Sequence, residues 1–300
     1  MRSPQGPPST VSARWLVMAA CWALMAAGAC AWLTLCLLFW QGSWQLLYRP
    51  ASAVTRTPAS VGLAFDPVAL ATTDAGESRL KGWWIPAAPN ARYGHYTVLY
   101  LHGQTGNLSE AVDDLAALHA VGVNVLAFDY RGYGQSQFVH PSEARWREDA
   151  DWALQYLTAT RHVVVGSILL DGKALGADLA LEVAAEHPEL AGVVVEAPLD
   201  SPVEAIFNDP RARLVPARLL VRDRFNAEQA ATALHIPSLW LMAEPVRASN
   251  AEESKPPSMY NRVAAAKTLA WLKPSHAPDQ HFTDEYQRWL DDLPNQASAP

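Results

Sequence analysis

Gly172-Lys173-Ala174-Leu175-Gly176 is the segment whose spacing is suited to chemistry. The apolar run Val163 to Leu170 reads as a buried strand and Ala177 to Ala185 as a helix, so the five residues make a sharp turn between them. A strand-to-helix turn of the form G-x-S-x-G presents a nucleophilic serine, because small neighbours permit the strained backbone that lifts the hydroxyl out of the sheet. Here the middle residue is Ala174, and a methyl group stands where that oxygen would be. Ser167 and Ser201 are the nearest other hydroxyls. The first falls inside the predicted strand and the second beyond another, so neither is on the turn.

Two further segments must help to position such a turn. Tyr96 to Leu101 is a β-rich run, followed by the loop His102-Gly103-Gln104-Thr105-Gly106-Asn107, after which Leu108 to Ala120 takes up helical spacing. Val123 to Tyr130 reads as a second buried strand, with the turn-rich Arg131-Gly132-Tyr133-Gly134-Gln135-Ser136 behind it.

The order strand, HGxxGN loop, helix, strand, DYRGYGxS loop, helix, strand and glycine-flanked turn resembles the α/β-hydrolase superfamily. Within it the similarity is to the small, N-terminally membrane-anchored serine hydrolases, and it extends over residues 45 to 293. The resemblance implies strands near Ala64 to Thr72, Leu80 to Pro86, Thr97 to Leu101, Val123 to Tyr130, Val163 to Leu170, Ala191 to Ala197, Ser238 to Ala243 and Thr268 to Leu272. The expected fold is α/β: a doubly wound, mostly parallel eight-stranded sheet with helices on both faces, in keeping with its valine- and leucine-rich central strands. An insertion at 199–236 would be a small cap or a plain surface excursion.

The same resemblance implies site roles. Gln104 and Leu175 take the positions of the two backbone oxyanion donors, with His102 and Gly103 lining the pocket. His276, after the last strand, takes the place of the base, and His281 is its competitor. The acid loop, with the family pattern HGxxD, falls on Leu241 to Val246, so Val246 replaces the aspartate. Glu244 and Asp200 are the alternative acids. Two of three catalytic groups are substituted, which points to a pseudo-hydrolase that binds an acyl-type ligand, another small molecule or a partner. The alternative is an active esterase-, thioesterase- or peptidase-like hydrolase with a non-standard nucleophile, or with water activated by His276. No cofactor is expected: the dinucleotide spacing G-x-G-x-x-G and a zinc-like Cys/His spacing are both missing.

Composition bounds the rest. The chain has 300 residues, half of them hydrophobic, enough for one domain with a sizeable core and an additional element. That element is Trp15 to Trp40, which carries no charge and, at about 1.5 Å per residue, exceeds the ~30 Å hydrocarbon core of a bilayer. Ala27-Gly28-Ala29 resembles a signal-peptidase site, but the uncharged run continues from Cys30 to Trp40, favouring an uncleaved anchor. The expected organisation is a tail at 1–14, a transmembrane helix at 15–40, a linker at 41–60, a domain at 61–293 and a tail at 294–300. Arg2 and Arg14 precede the helix, which favours an extracytoplasmic domain. All three cysteines lie in the helix, leaving no disulfide for the domain. A net charge of −7 argues against nucleic-acid binding.

Overall fold

The computed structural model describes residues 12–73, 75–244, 255–273 and 278–293. Contacts divide the chain into two compact units, one formed by Met1–Ser43 with Ile206–Arg222 and the other by Trp44–Ala205 with Asp223–Pro300.

In the first unit, α1 runs from Ala13 to Gly42, longer than the expected 15–40 span. Ser12 caps it by accepting from the Trp15 N–H at 3.3 Å, and no proline or interior charge interrupts it. Its side chains are almost all exposed, Cys36 and Phe39 being the buried ones. The 206–222 segment is the part of the 199–236 insertion that groups with this helix.

The second unit is an eight-stranded sheet. In chain order the strands are β1 Asp66–Thr72, β2 Ser78–Ile85, β3 Thr97–Leu101, β4 Asn124–Asp129, β5 Ile168–Lys173, β6 Gly192–Glu196, β7 Ser238–Ala243 and β8 Lys267–Leu272. Their order across the sheet is β8-β7-β6-β5-β3-β4-β2-β1. β2 is antiparallel to both neighbours and every other pairing is parallel. Strands β3, β5 and β6 are buried nearly end to end, as helices on both faces require.

Helices α2 Val112–Val121 and α6 Gln280–Asp292 pack together on one face. Their Leu115, Leu118, Phe282, Tyr286 and Trp289 share a core with Val98, Val125, Leu169 and Val194 of the sheet. Helices α3 Glu143–Gln155, α4 Leu175–Glu186 and α5 Ala227–Ala233 form the other layer, with α4 against both α3 and α5. Local signals set the ends. Ser142 accepts from the Arg145 N–H at the start of α3, Asp279 accepts from the His281 and Phe282 N–H groups at the start of α6, and Gly122 ends α2 at φ 102°.

Two expectations need correction. The strand expected at Val163 to Leu170 begins five residues later and extends to Lys173, because Val165–Ser167 closes a tight turn in which both the N–H and the hydroxyl of Ser167 donate to Val164 O. Ser167 therefore precedes the strand, at the edge of the sheet opposite the elbow. The expected linker at 41–60 is tied down over much of its length. Arg49–Pro50 pairs with Thr105–Gly106, Asn107 Nδ2 donates to the carbonyls of Ala51 and Ala53, and Arg56 makes a bidentate pair with Asp113.

Candidate functional site

β5 delivers the elbow to the carboxyl edge of the sheet, where Ala174 adopts φ 52° and ψ −121°. A residue with a Cβ pays about 1–3 kcal/mol for such a backbone and keeps it only where its surroundings over-determine it. Here they do. The Ala174 N–H donates to Glu196 O on β6 at 2.9 Å, and the Ala177 N–H donates to Ala174 O at 2.9 Å. A Cβ on Gly172 would stand 2.2 Å from Gly176 O, and one on Gly176 would stand 2.1 Å from Leu101 O and 2.5 Å from His102 O. The glycines are required because backbone passes where their side chains would be.

The neighbouring loop comes up against this turn. A Cβ added to Gly103 would lie 3.4 Å from the Ala174 Cβ, so the alanine methyl faces the loop. Leu175, the first residue of α4, donates its N–H to Gln104 Oε1 at 3.3 Å, the long end of the hydrogen-bond range. The Gln104 carbonyl is held twice, by the Arg49 N–H and the Tyr133 hydroxyl, each at 2.8 Å. Among the described residues the Gln104 N–H makes no hydrogen bond. Gln104, Leu175, Ala174 and Gly103 are thus brought together, and one prospective donor is covered by the chain's own amide oxygen.

His102 turns away from reaction chemistry. It is 3% exposed, and because a carbonyl only accepts, its Nδ1–H donates to Gly103 O at 2.8 Å. That tautomer leaves Nε2 as a lone pair 3.6 Å from Asp129 Oδ1. Burial pushes His102 down to about 4, against the Gly103 bond. Burial pushes Asp129 up to about 7, against the N–H it accepts from Leu108. Between those values both groups are neutral. The imidazole packs against Tyr130 and Tyr133 with ring centroids at 4.6 and 5.2 Å, so its role is to hold the loop. Asn107 is also buried, with its amide donating to Ala51 O and Ala53 O and accepting from the Ser109 N–H, so it too holds the loop.

Sequence reasoning passed over a charged cluster under the turn. Lys173 Nζ lies 2.7 Å from both carboxylate oxygens of Asp114 on α2 and 3.9 Å from Glu196 on β6, while the Tyr100 hydroxyl donates to Asp114 at 2.9 Å. Burial pulls the Lys173 ammonium down, but Glu196 and Asp114 outweigh it and keep it charged. Asp171 is fully buried and pushed up to about 7 by that burial. Asp171 and Lys173 are two apart in one strand and so share a face, which is the signal that could have found them.

Of the other proposed residues, those among the described residues do not converge on the elbow. Glu244 and Asp200 are both exposed. Asp200 and Ser201 border a cavity of about 590 Å³ with Arg224, Phe225 and Arg262, a lining that contains no residue of the elbow or the Gln104 loop. His281 is exposed at the start of α6, near Glu285. Val246 and His276 lie outside the described residues. Among the described residues no cluster of His, Cys, Asp and Glu has the geometry to hold a metal ion.

Residues 95–222 match the family described as serine aminopeptidase, S33. An uncharacterized protein of Mycobacterium tuberculosis (strain CDC 1551 / Oshkosh) is 30% identical over 227 residues, 76% of each chain. The human alpha/beta hydrolase domain-containing protein 17C is 31% identical over 138 residues, 46% of this chain and 40% of its own length. A solved Pyrococcus furiosus esterase superposes with a TM-score of 0.60 at 19% identity, covering 82% of this chain and 98% of that one. At that identity the likeness is one of fold.

Proposed function

Since the chain belongs to the α/β-hydrolase superfamily, we propose that it is a membrane-anchored pseudo-hydrolase: it keeps the architecture of an ester- or amide-cleaving site, has lost serine-dependent turnover, and retains an acyl-type ligand. The observation that carries this reading is Ala174. A strained elbow is maintained at φ 52° around a side chain that has no nucleophilic atom. Solved neighbours of the same fold are esterases, which supplies the class of the lost reaction.

Loss of the triad serine in a well-studied protease removes about 10⁶ of turnover. What survives is the binding half of the site. Backbone donors do not depend on the side chain beside them, so the N–H groups of Gln104 and Leu175 can donate to the oxygen of a carboxylate or carbonyl once Gln104 Oε1 moves aside. The space freed by the missing hydroxyl lies next to them. The sequence carries valine, Val246, at the acid position, so in this reading His276 lacks the aspartate of the family pattern. α1 supplies the anchor, and the positive charges before it favour an extracytoplasmic domain.

Thermal shift with fatty-acid carboxylates and p-nitrophenyl ester hydrolysis test this together. The full-length protein should be stabilised by the acyl compounds and should hydrolyse the ester at the background rate, while Ala174→Trp should abolish the shift. Ala174→Ser should recover little turnover, because an unoriented histidine costs about 10⁴ in a triad enzyme. Shifts that survive Ala174→Trp would put the ligand elsewhere. Strong hydrolysis by Ala174→Ser would mean that another carboxylate serves as the acid.

A further inference from the structure

Helix α1 is longer than a bilayer needs. Thirty residues at about 1.5 Å each make a rod of about 45 Å, and ~20 residues fill the hydrocarbon core. Either the first two-thirds or the last two-thirds of the helix could occupy that core. The 206–222 segment decides which.

That segment packs on the final third of α1. Trp32 Nε1 donates to Leu214 O at 3.1 Å, and the Arg222 guanidinium lies over the Trp40 ring at 4.9 Å. It carries Arg211, Arg213, Arg218 and Arg222, all exposed, against a single acid, Asp209. Placing four arginines at the depth of the acyl chains is prohibitive, so the stretch from Trp32 to Gly42 belongs at the level of the headgroups and Trp15 to Ala31 spans the core. At that level the segment has both features of an interfacial element. Leu214 and Leu219 are 62% and 83% exposed, an apolar contribution with no use in water. The arginines beside them match the charge of lipid phosphates. The Arg211–Asp209 pair lies in solvent and so is held weakly enough to exchange for a phosphate.

We propose that residues 206–222 are a second membrane element, which binds anionic phospholipid headgroups through its arginines and buries Leu214 and Leu219 among the upper acyl carbons beside the exit of α1. This rests on α1 spanning a bilayer. The 206–222 part of the insertion is therefore a membrane-seated platform.

Photo-crosslinking in the full-length protein separates the two claims. p-Benzoylphenylalanine is placed at Leu219 in one sample and at Leu24, an exposed position of α1, in another. Both are reconstituted into vesicles of pure phosphatidylcholine or of equal parts phosphatidylcholine and phosphatidylglycerol. Leu24 should give a lipid adduct in both vesicles. Leu219 should give one that is about fivefold stronger or more with phosphatidylglycerol, and Arg211→Gln with Arg213→Gln should reduce it toward the phosphatidylcholine level. Adducts at Leu24 with none at Leu219 would overturn the interfacial element and leave the anchor intact. Equal Leu219 adducts in both vesicles would overturn headgroup recognition. No adduct at Leu24 would remove the anchor, and this proposal with it.

Discussion

The elbow at Gly172–Gly176 and the buried acids around it keep different things. In the elbow a strained turn is held around a side chain with no nucleophilic atom, because its geometry is set by backbone packed on backbone: Gly176 against Leu101 and His102, and Ala174 hydrogen-bonded to Glu196. Asp178, one turn into α4, is the reverse case, a titratable group fully buried where the proposed function has no proton to move. The elbow is held by steric necessity and does not depend on a polar side chain at Ala174. The buried acid is a standing cost that the rest of the fold offsets. The contrast implies that mutations which destroy the elbow will unfold the protein, whereas mutations that relax the acid or the strained alanine will stabilise it at no loss of function.

The largest effect is expected at Gly176. Gly176→Ala drives a methyl into two backbone carbonyls that have no room to retreat, and a cost of about 4 kcal/mol or more is expected. Chemical denaturation would measure it. A variant as stable as the parent would show that glycine contacts do not hold the turn.

Asp178 comes next. Burial, reinforced by Glu182, pushes it up to about 9, so the native state keeps a proton that the unfolded chain releases near ~3.9. The native state binds more protons, so this group's contribution to stability is complete below pH ~3.9 and is lost as pH rises toward 9. Asp178→Asn removes the penalty. Relative to the parent, the variant should gain about 2 kcal/mol or more between pH 4 and pH 8, the cost of the buried amide shifting both ends alike. A variant that shows no such gain would mean that the carboxylate is ionised and paired at pH 8.

The smallest effect concerns the strain itself. Ala174→Gly removes the Cβ from a conformation that glycine adopts freely, giving a net gain of about 1 kcal/mol after the greater freedom of the unfolded glycine is subtracted. Differential scanning calorimetry should place its melting point a few degrees above the parent. A lower melting point would show that the methyl packs usefully against the loop at Gly103.

Much of this was legible in the sequence. Apolar runs bounded by Gly-rich loops mark the three central strands, the resemblance places the other strands of the sheet within a few residues, and the Gly172/Gly176 pair fixes the register of the elbow, because close backbone approach permits nothing larger. What was hidden depends on contacts between distant parts of the chain. No spacing rule brings Gln104 Oε1 to the Leu175 N–H, or clamps the Gln104 carbonyl between Arg49 and Tyr133. The 41–60 stretch reads as a linker because the composition of its second half is that of a loop, although Asn107, Ser109 and Asp113 hold that half down. Val163 and Val164 look like strand, but Gly166 and Ser167 turn the backbone before the strand begins.

The central claim is that this elbow carries no nucleophile. Its most direct test is intact-mass analysis of the full-length protein after exposure to a fluorophosphonate that phosphonylates activated serines. The mass should remain that of the unmodified chain under conditions that fully label an active serine esterase. A stoichiometric adduct mapped to any serine would contradict the account and return the chain to the working hydrolases.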